Sequence, residues 1–324
     1  MSKRWNVYVT RMIPEPVINM LEKNCDVDVN PYDKPLTREE LLEAVKGRDA
    51  VLTMVTDTIN AEVLDASMPS CKIFANYAVG YNNIDIAEAS KRGIMVTNTP
   101  DVLTNAASEI AWALLFAASR KVVEADKFTR EGNYKGWSPR LFVGFEVTGK
   151  TLGVIGTGRI GSAFARKARG FDMRILYNDI CRDEKFEQDT GAIFTDKETL
   201  LKVSDFISLH VPLLESTRHL IGENEFKIMK NTAILINAAR GPIVDEKALI
   251  KALRTNEIAG AGLDVFENEP EFDPELAKLD NIVMLPHIGS ATIEARLNMG
   301  IIAAENIIAA MKGEIPKTLV NKPE

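Results

Sequence analysis

Gly156-Thr157-Gly158-Arg159-Ile160-Gly161 limits what this chain can fold into more than any other segment. The run Thr151 to Ile155 leads into it and reads as a buried strand. Good helix formers follow from Ser162 to Arg169, and Met173 to Tyr177 reads as a second strand that ends at Asp179. Each glycine has its own task. The first makes a tight turn, the second lets the backbone approach a pyrophosphate, and the third lets the helix pack closely on the strand. The helix N-terminus offers free N–H groups and a partial positive charge to the phosphates. Asp179 lies 18 residues beyond Gly161, near the roughly 20 at which an acid meets the ribose hydroxyls. The spacing predicts a dinucleotide site built on Gly156, Thr157, Gly158, Arg159, Ile160, Gly161 and Asp179.

A chain of 324 residues is long enough for two domains. About 150 residues precede the glycine turn and show their own βα alternation. Trp5–Thr10, Asp26–Val29, Ala50–Met54, Ile73–Asn76 and Met95–Thr97 read as strands, Pro14–Lys23 and Arg38–Lys46 as helices. Such alternation predicts an α/β protein with a parallel, doubly wound sheet. One long helix is expected over Asn105–Arg130. Its stretch Ile110–Ala118 is apolar nearly all round, which points to burial against another domain or subunit. Gly132–Val147 shows no period and reads as a loop suited to embracing a partner subunit. From Thr151 onward, six strands are expected: Thr151–Ile155, Met173–Tyr177, Phe206–Leu209, Ala233–Asn237, Gly260–Leu263 and Ile282–Leu285. That is the count of a full dinucleotide fold. A last helix over Thr292–Gly313 is expected to cross back to the first domain, with an extended tail at Pro316–Asn321.

The net charge of −7 argues against nucleic acid as a partner. No apolar run reaches the roughly 18–20 residues of a membrane span, and the start lacks the apolar core of a secretory signal. Cys25, Cys71 and Cys181 are scattered, without ligand spacing. They read as free thiols of a cytoplasmic protein rather than disulfides or a metal site.

In open α/β sheets, ligands sit beyond the carboxyl ends of the strands. The strand Ala233–Asn237 ends in Ala238-Ala239-Arg240-Gly241, and an arginine on such a turn can grip a carboxylate with two hydrogen bonds. Gly260–Leu263 ends at Asp264, placed to bond a cofactor amide, and Glu269 follows just before Pro270. Ile282–Leu285 ends in Pro286-His287-Ile288-Gly289, where His287 has the position of a general acid/base. Glu269 is the acid suited to orient that ring and stabilise its charged form. Of the other two histidines, His210 reads as part of the cofactor wall beside Val211-Pro212. His219, in Ser216–Leu220, reads as part of a loop that approaches a helix. Arg240, Glu269 and His287 together suit proton donation and carbonyl polarisation during reduction of a 2-keto acid.

Asn76–Asp85, Asn98–Thr104, Gly156–Gly161, Asn237–Gly241, Gly260–Pro270 and Pro286–Ser290 resemble the D-2-hydroxyacid dehydrogenase family over almost the whole chain. Within it the resemblance is to the glyoxylate/hydroxypyruvate reductases. The resemblance implies a Rossmann dinucleotide domain, residues 101–290, inserted into a flavodoxin-like substrate domain of residues 1–100 and 291–324. It implies a homodimer through the helix and loop of residues 105–147. It implies catalysis by Arg240, Glu269 and His287, with the Val79 and Gly80 amides joining Arg240 and His287 on the substrate. Ser108, Pro212, Ala238, Ala239, Arg240, Asp264, His287 and Gly289 would join the glycine turn around the cofactor. NAD(H) is favoured by Asp179, while Arg182 keeps NADP(H) as the alternative.

The same resemblance leaves other readings open. Val79 stands where phosphite dehydrogenases carry lysine, Glu269 where formate dehydrogenases carry Gln, and Leu141 where some glyoxylate reductases carry tryptophan. Dehydrogenases of D-lactate or 3-phosphoglycerate remain alternatives, as does an NAD-sensing corepressor that shares the Arg/Glu/His set.

Overall fold

The structure, a computed structural model, describes residues 4–323. Its strands are β1 (Asn6–Val9), β2 (Asp26–Val29), β3 (Ala50–Thr53), β4 (Ile73–Asn76), β5 (Met95–Thr97), β6 (Thr151–Ile155), β7 (Arg174–Asn178), β8 (Ile193–Phe194), β9 (Phe206–Leu209), β10 (Ile234–Asn237), β11 (Gly260–Leu263) and β12 (Ile282–Met284). The helices are α1 (Glu15–Glu22), α2 (Arg38–Ala44), α3 (Ala61–Ser67), α4 (Ile86–Lys91), α5 (Thr104–Arg120), α6 (Val122–Arg130), α7 (Arg159–Ala168), α8 (Glu184–Thr190), α9 (Lys197–Val203), α10 (Glu223–Ile228), α11 (Glu246–Arg254) and α12 (Ile293–Met311). Among the described residues, no helix is long and apolar enough to cross a membrane.

Residues up to Leu103 and those from Ser290 onward form one compact unit. Its five strands are parallel, in the order β2-β1-β3-β4-β5, which is flavodoxin-like. β3 and β4 are buried on both faces, so they read as apolar runs without alternation. Thr292 caps α12, its hydroxyl accepting the Ala295 N–H at 3.1 Å. The helix packs along α1 and β4. Gly300 permits that approach, since a Cβ there would stand 2.5 Å from Val17 Cγ2. The tail then serves as an edge partner for β5. Leu319 bridges to Thr97, and the buried Asn321 side chain accepts the Val96 N–H and donates to the Ile94 carbonyl, both at 2.8 Å.

Thr104–Gly289 form the second unit. Its seven parallel strands run in the order β12-β11-β10-β9-β6-β7-β8. Counting from β6, this is the Rossmann order with one further strand at the β12 edge. The order reverses between β6 and β9, which opens a crevice at their carboxyl ends. One face of the sheet buries Val154, Tyr177 and Ile236 with α5 and α7; the other buries Ile155, Ile207 and Leu235 with Phe226 and Leu249. Fully burying a side chain of this size contributes about 1.5–3 kcal/mol. Trp112 of α5 stacks on Phe164 of α7 with ring centroids 4.7 Å apart and donates its indole N–H to the Phe164 carbonyl at 3.1 Å.

Three expectations about this unit change. The single helix over Asn105–Arg130 is two, because Lys121 takes a left-handed backbone with φ +52° between α5 and α6. The apolar stretch of α5 is covered largely by β10, β11, β12 and α7 of its own unit. The sheet of this unit has seven strands rather than six, since the two-residue β8 pairs with β7. It is too short and too exposed to carry a strand pattern.

Asn321→Ala tests the tail. It leaves the Val96 N–H and the Ile94 carbonyl without this partner, and each unpaired buried group costs about 1–3 kcal/mol. A loss of about 2–4 kcal/mol is expected in urea denaturation. A change under about 0.5 kcal/mol, ordinary for a surface site, would show that the tail does not brace β5.

Candidate active site

The glycine turn connects β6 to α7. Gly156 has φ +90°, and a Cβ on it would stand 2.8 Å from the His210 carbonyl carbon. A Cβ on Gly161 would stand 2.0 Å from the Gly156 oxygen, so the helix can approach the turn only without one. At Gly158, the N-cap of α7, no atom lies within 4 Å of a Cβ position, which leaves the backbone open to a ligand. A tight turn, an open approach and close helix packing are what a dinucleotide pyrophosphate needs at a helix N-terminus. Asp179, just past β7, ties into this turn. Its Oδ2 accepts the Thr157 N–H at 2.6 Å and the Thr157 hydroxyl at 2.9 Å.

The ends of β10, β11 and β12 carry the reactive side chains. After β10, Asn237 folds the chain into a turn, its Oδ1 accepting the Ala239 N–H at 3.1 Å and its Nδ2 donating to the Arg240 carbonyl at 2.9 Å. Gly241 packs directly against the loop after β11, where a Cβ would stand 1.7 Å from the Phe266 oxygen. In that loop Glu269 accepts the Phe266 N–H at 3.0 Å through Oε1 and faces His287 Nδ1 at 2.7 Å through Oε2. Burial pushes the Glu269 pKa up, but His287, the Phe266 N–H and Arg240 outweigh it and hold the carboxyl below its ordinary range. Burial pushes the Arg240 pKa down, opposed by Glu269. The guanidinium remains charged and donates to the Ala239 carbonyl at 2.6 Å.

His287 sits at φ +54°, a left-handed conformation that costs a non-glycine residue about 1–2 kcal/mol. The buried Asp264 holds it there by accepting the Ile288 N–H at 2.8 Å and the Gly289 N–H at 2.7 Å. Burial raises the Asp264 pKa despite these bonds. Asp264 thus braces the segment that carries His287.

A second group of charges, absent from the sequence reading, anchors the same loop. Glu246 at the start of α11 accepts the Glu267 N–H at 3.2 Å and the Asp273 N–H at 2.7 Å. Glu267 reciprocates by accepting the Glu246 N–H at 3.3 Å. Its other oxygen lies 2.7 Å from His219 Nε2 and 3.3 Å from Arg218 Nη2. His219 therefore has an acid partner, 48 residues away. No local pattern marks a pair so distant.

His210 is half-buried, its Nε2 2.9 Å from the Ser208 hydroxyl and its ring 5.0 Å from that of Phe164. It backs the glycine turn, beside Val211 and Pro212, whose carbonyl accepts the Thr217 hydroxyl at 2.6 Å. Ser108 lies near the start of α5. Its buried hydroxyl donates to the Asn105 carbonyl at 2.8 Å and accepts Lys167 Nζ at 2.9 Å. The preceding Ala107 packs against Gly289, its Cα 4.0 Å from a Cβ placed there. One residue along a helix turns the side chain about 100°.

In the other unit, the turn after β4 carries Val79 and Gly80. Asn98 Nδ2 donates to the Val79 carbonyl at 2.8 Å, Asn76 Nδ2 to the Gly80 carbonyl at 3.0 Å, and the Thr99 N–H to the Ala78 carbonyl at 2.9 Å. With these three carbonyls tied back, successive N–H groups can form a small anion nest.

The Rossmann order, the glycine turn and the polar strand ends define an α/β nicotinamide-dinucleotide enzyme. The family described as D-isomer specific 2-hydroxyacid dehydrogenase, NAD binding domain, matches residues 112–289. The glyoxylate reductase of Thermococcus litoralis is 55% identical over 320 residues, covering 98% of this chain and 96% of that protein. The crystal structure of a glyoxylate reductase from Paecilomyes thermophila superposes with a TM-score of 0.86 at 32% identity, covering 99% of both chains. The NADPH-dependent glyoxylate/hydroxypyruvate reductase of Sinorhizobium meliloti, solved with NADP and malonate, also has a TM-score of 0.86, at 30% identity over 99% of this chain and 98% of that one. The chain belongs to the D-isomer specific 2-hydroxyacid dehydrogenase family.

Burial pushes the His210 pKa down to about 3, against about 6.5 for an ordinary histidine. Below about pH 6.5 the unfolded chain binds a proton here that the folded chain does not, so stability falls as pH drops toward about 3. The slope from this one group is at most about 1.4 kcal/mol per pH unit. His210→Phe keeps a ring against Phe164 and is expected to flatten that slope in urea titrations between about pH 6 and pH 4. An unchanged slope would show that His210 is protonated in the fold.

Proposed function

We propose that this chain reduces glyoxylate, and also hydroxypyruvate, to the D-2-hydroxy acid with NADH. The observation that carries this reading is the Glu269–His287 pair at the end of β12, in a chain 55% identical to a glyoxylate reductase. His287 gives the proton to the 2-oxygen. With Nδ1 engaged by Glu269, Nε2 is the atom left for that transfer. Arg240 grips the carboxylate and polarises the carbonyl with its planar, permanently charged guanidinium. Within the other unit, the turn at Val79 and Gly80 can hold an anion on its own amides. The glycine turn takes the pyrophosphate, Asp179 the adenosine ribose, and the β10–β12 ends surround the nicotinamide, which when bound supplies the hydride.

NAD(H) is the favoured cofactor because Asp179 repels a 2′-phosphate, whereas the Sinorhizobium relative was solved with NADP. The active form is a homodimer. Its support is the apolar surface over α6 and the loop after it, where Val122, Val123, Tyr134, Trp137 and Val143 are all more than half exposed. Light scattering of the purified protein and of Trp137→Asp tests this, and a wild-type monomer would refute it.

His287→Ala is expected to lower turnover by roughly 10² or more, the scale of lost general acid catalysis, with NADH binding by fluorescence unchanged. Near-normal turnover would remove His287 from this role. Arg240→Ala is expected to raise KM and lower kcat together.

With saturating NADH, glyoxylate and hydroxypyruvate are expected to give higher kcat/KM than phenylpyruvate or 2-ketoisocaproate. The reverse order would overturn the small-substrate assignment.

A further inference from the structure

Beyond Asp179 the chain continues through an exposed turn into α8, and the charges there have a definite arrangement. Residues 179–187 carry four carboxylates against two cations. Arg182, three residues past the ribose acid, is the cation placed to meet a phosphate on that ribose. Its guanidinium is already occupied in the bidentate geometry that a phosphate would use. Nε donates to Glu187 Oε1 and Nη2 to Glu187 Oε2, both at 2.8 Å.

Glu187 is itself fixed. The hydroxyl of Tyr177, a residue buried in β7, donates to Glu187 Oε1 at 2.9 Å and accepts the Asp183 N–H at 2.9 Å. The Tyr177 ring is locked by Phe186 and Phe194, at 5.0 and 5.2 Å between centroids. The Glu187 side chain is 17% exposed, against 60% for Arg182. An exposed ion pair is cheap to open, about 0–1 kcal/mol. This one, however, is backed by the Tyr177 hydroxyl, which keeps the Glu187 carboxylate in place for Arg182. A 2′-phosphate would gain Arg182 only by taking it from this fixed bidentate partner.

We propose that Glu187 is a cofactor-specificity determinant that acts by holding Arg182, so that the arginine does not serve as a 2′-phosphate site. The proposal deepens the NAD(H) reading and rests on it. It makes Glu187 a positioning residue with no contact of its own to the cofactor, and it predicts that Arg182 is silent toward NADPH in the wild type.

The test is a two-residue cycle in the full-length protein: wild type, Glu187→Gln, Arg182→Ala and the double variant. Direct fluorescence titration with NADH and NADPH gives Kd for each, independently of the substrate assignment. Kinetic kcat/KM with both nucleotides gives the second readout. Glu187→Gln is expected to tighten NADPH by roughly tenfold, the scale of one hydrogen bond to a charged group, with NADH within about twofold of wild type. Arg182→Ala alone is expected to leave NADPH binding unchanged, and the double variant to lose the gain.

A gain that persists in the double variant would overturn the proposal, because Glu187 would then act by its own charge. Absence of any gain, while NADH binding stays intact, would overturn it too. A wild type that prefers NADPH and loses that preference in Arg182→Ala would refute both the proposal and the NAD(H) reading. A wild type that prefers NADPH regardless of Arg182 refutes only the NAD(H) reading, and the Glu187→Gln gain still decides the proposal.

Discussion

Every strand of the second unit runs in the same direction, and all its chemistry depends on that. A parallel sheet covered by helices on both faces has no room for polar side chains along its strands. They collect where the strands end, and parallel strands all end at one edge. The glycine turn follows β6, Asp179 follows β7, His210 follows β9, Arg240 lies beyond β10, Asp264 follows β11, and His287 lies beyond β12. These positions span more than a hundred residues of sequence and become neighbours along that one edge.

Holding reactive groups there takes bracing, because loop backbone is not stabilised by the sheet ladder. His287 keeps an unfavourable φ because Asp264 binds the next two amides. Glu269 is steadied by the Phe266 N–H, and its loop is anchored through the exchange of bonds between Glu246 and Glu267. Gly241 lets two loop backbones touch where any side chain would force them apart. The acids here divide into two kinds. Asp264 and Glu246 hold backbone amides, whereas Glu269 also faces the imidazole of His287. A carboxylate with both oxygens on backbone N–H groups has little freedom left for catalysis, which is why residue type alone does not distinguish the two.

Electrostatics separates the three histidines more firmly than sequence position does. His210 is desolvated without a charged partner and stays neutral through the physiological range. His219 and His287 each face a glutamate of one short loop, Glu267 and Glu269. Only His287 also stands at a strand end beside Arg240 and the cofactor crevice. The same logic applies to arginines: Arg182 is spent on Glu187, and Arg240 shares the field of Glu269.

The sequence by itself determined the dinucleotide unit, the strands around it and the candidates Arg240, Glu269 and His287. Their signals are local: glycines at fixed offsets, apolar runs of strand length, and polar residues where those runs stop. It could not show the break at Lys121, because no glycine or proline marks that left-handed residue, nor β8, which is two exposed residues long. Nor could it show that Ala107 packs against Gly289, because a helix face is chosen by what it packs against. The pairs Glu246–Glu267, His219–Glu267 and Arg182–Glu187 were equally silent. Loop packing and helix docking bring those side chains together, and only the tertiary structure decides which loops approach closely enough for charges to meet.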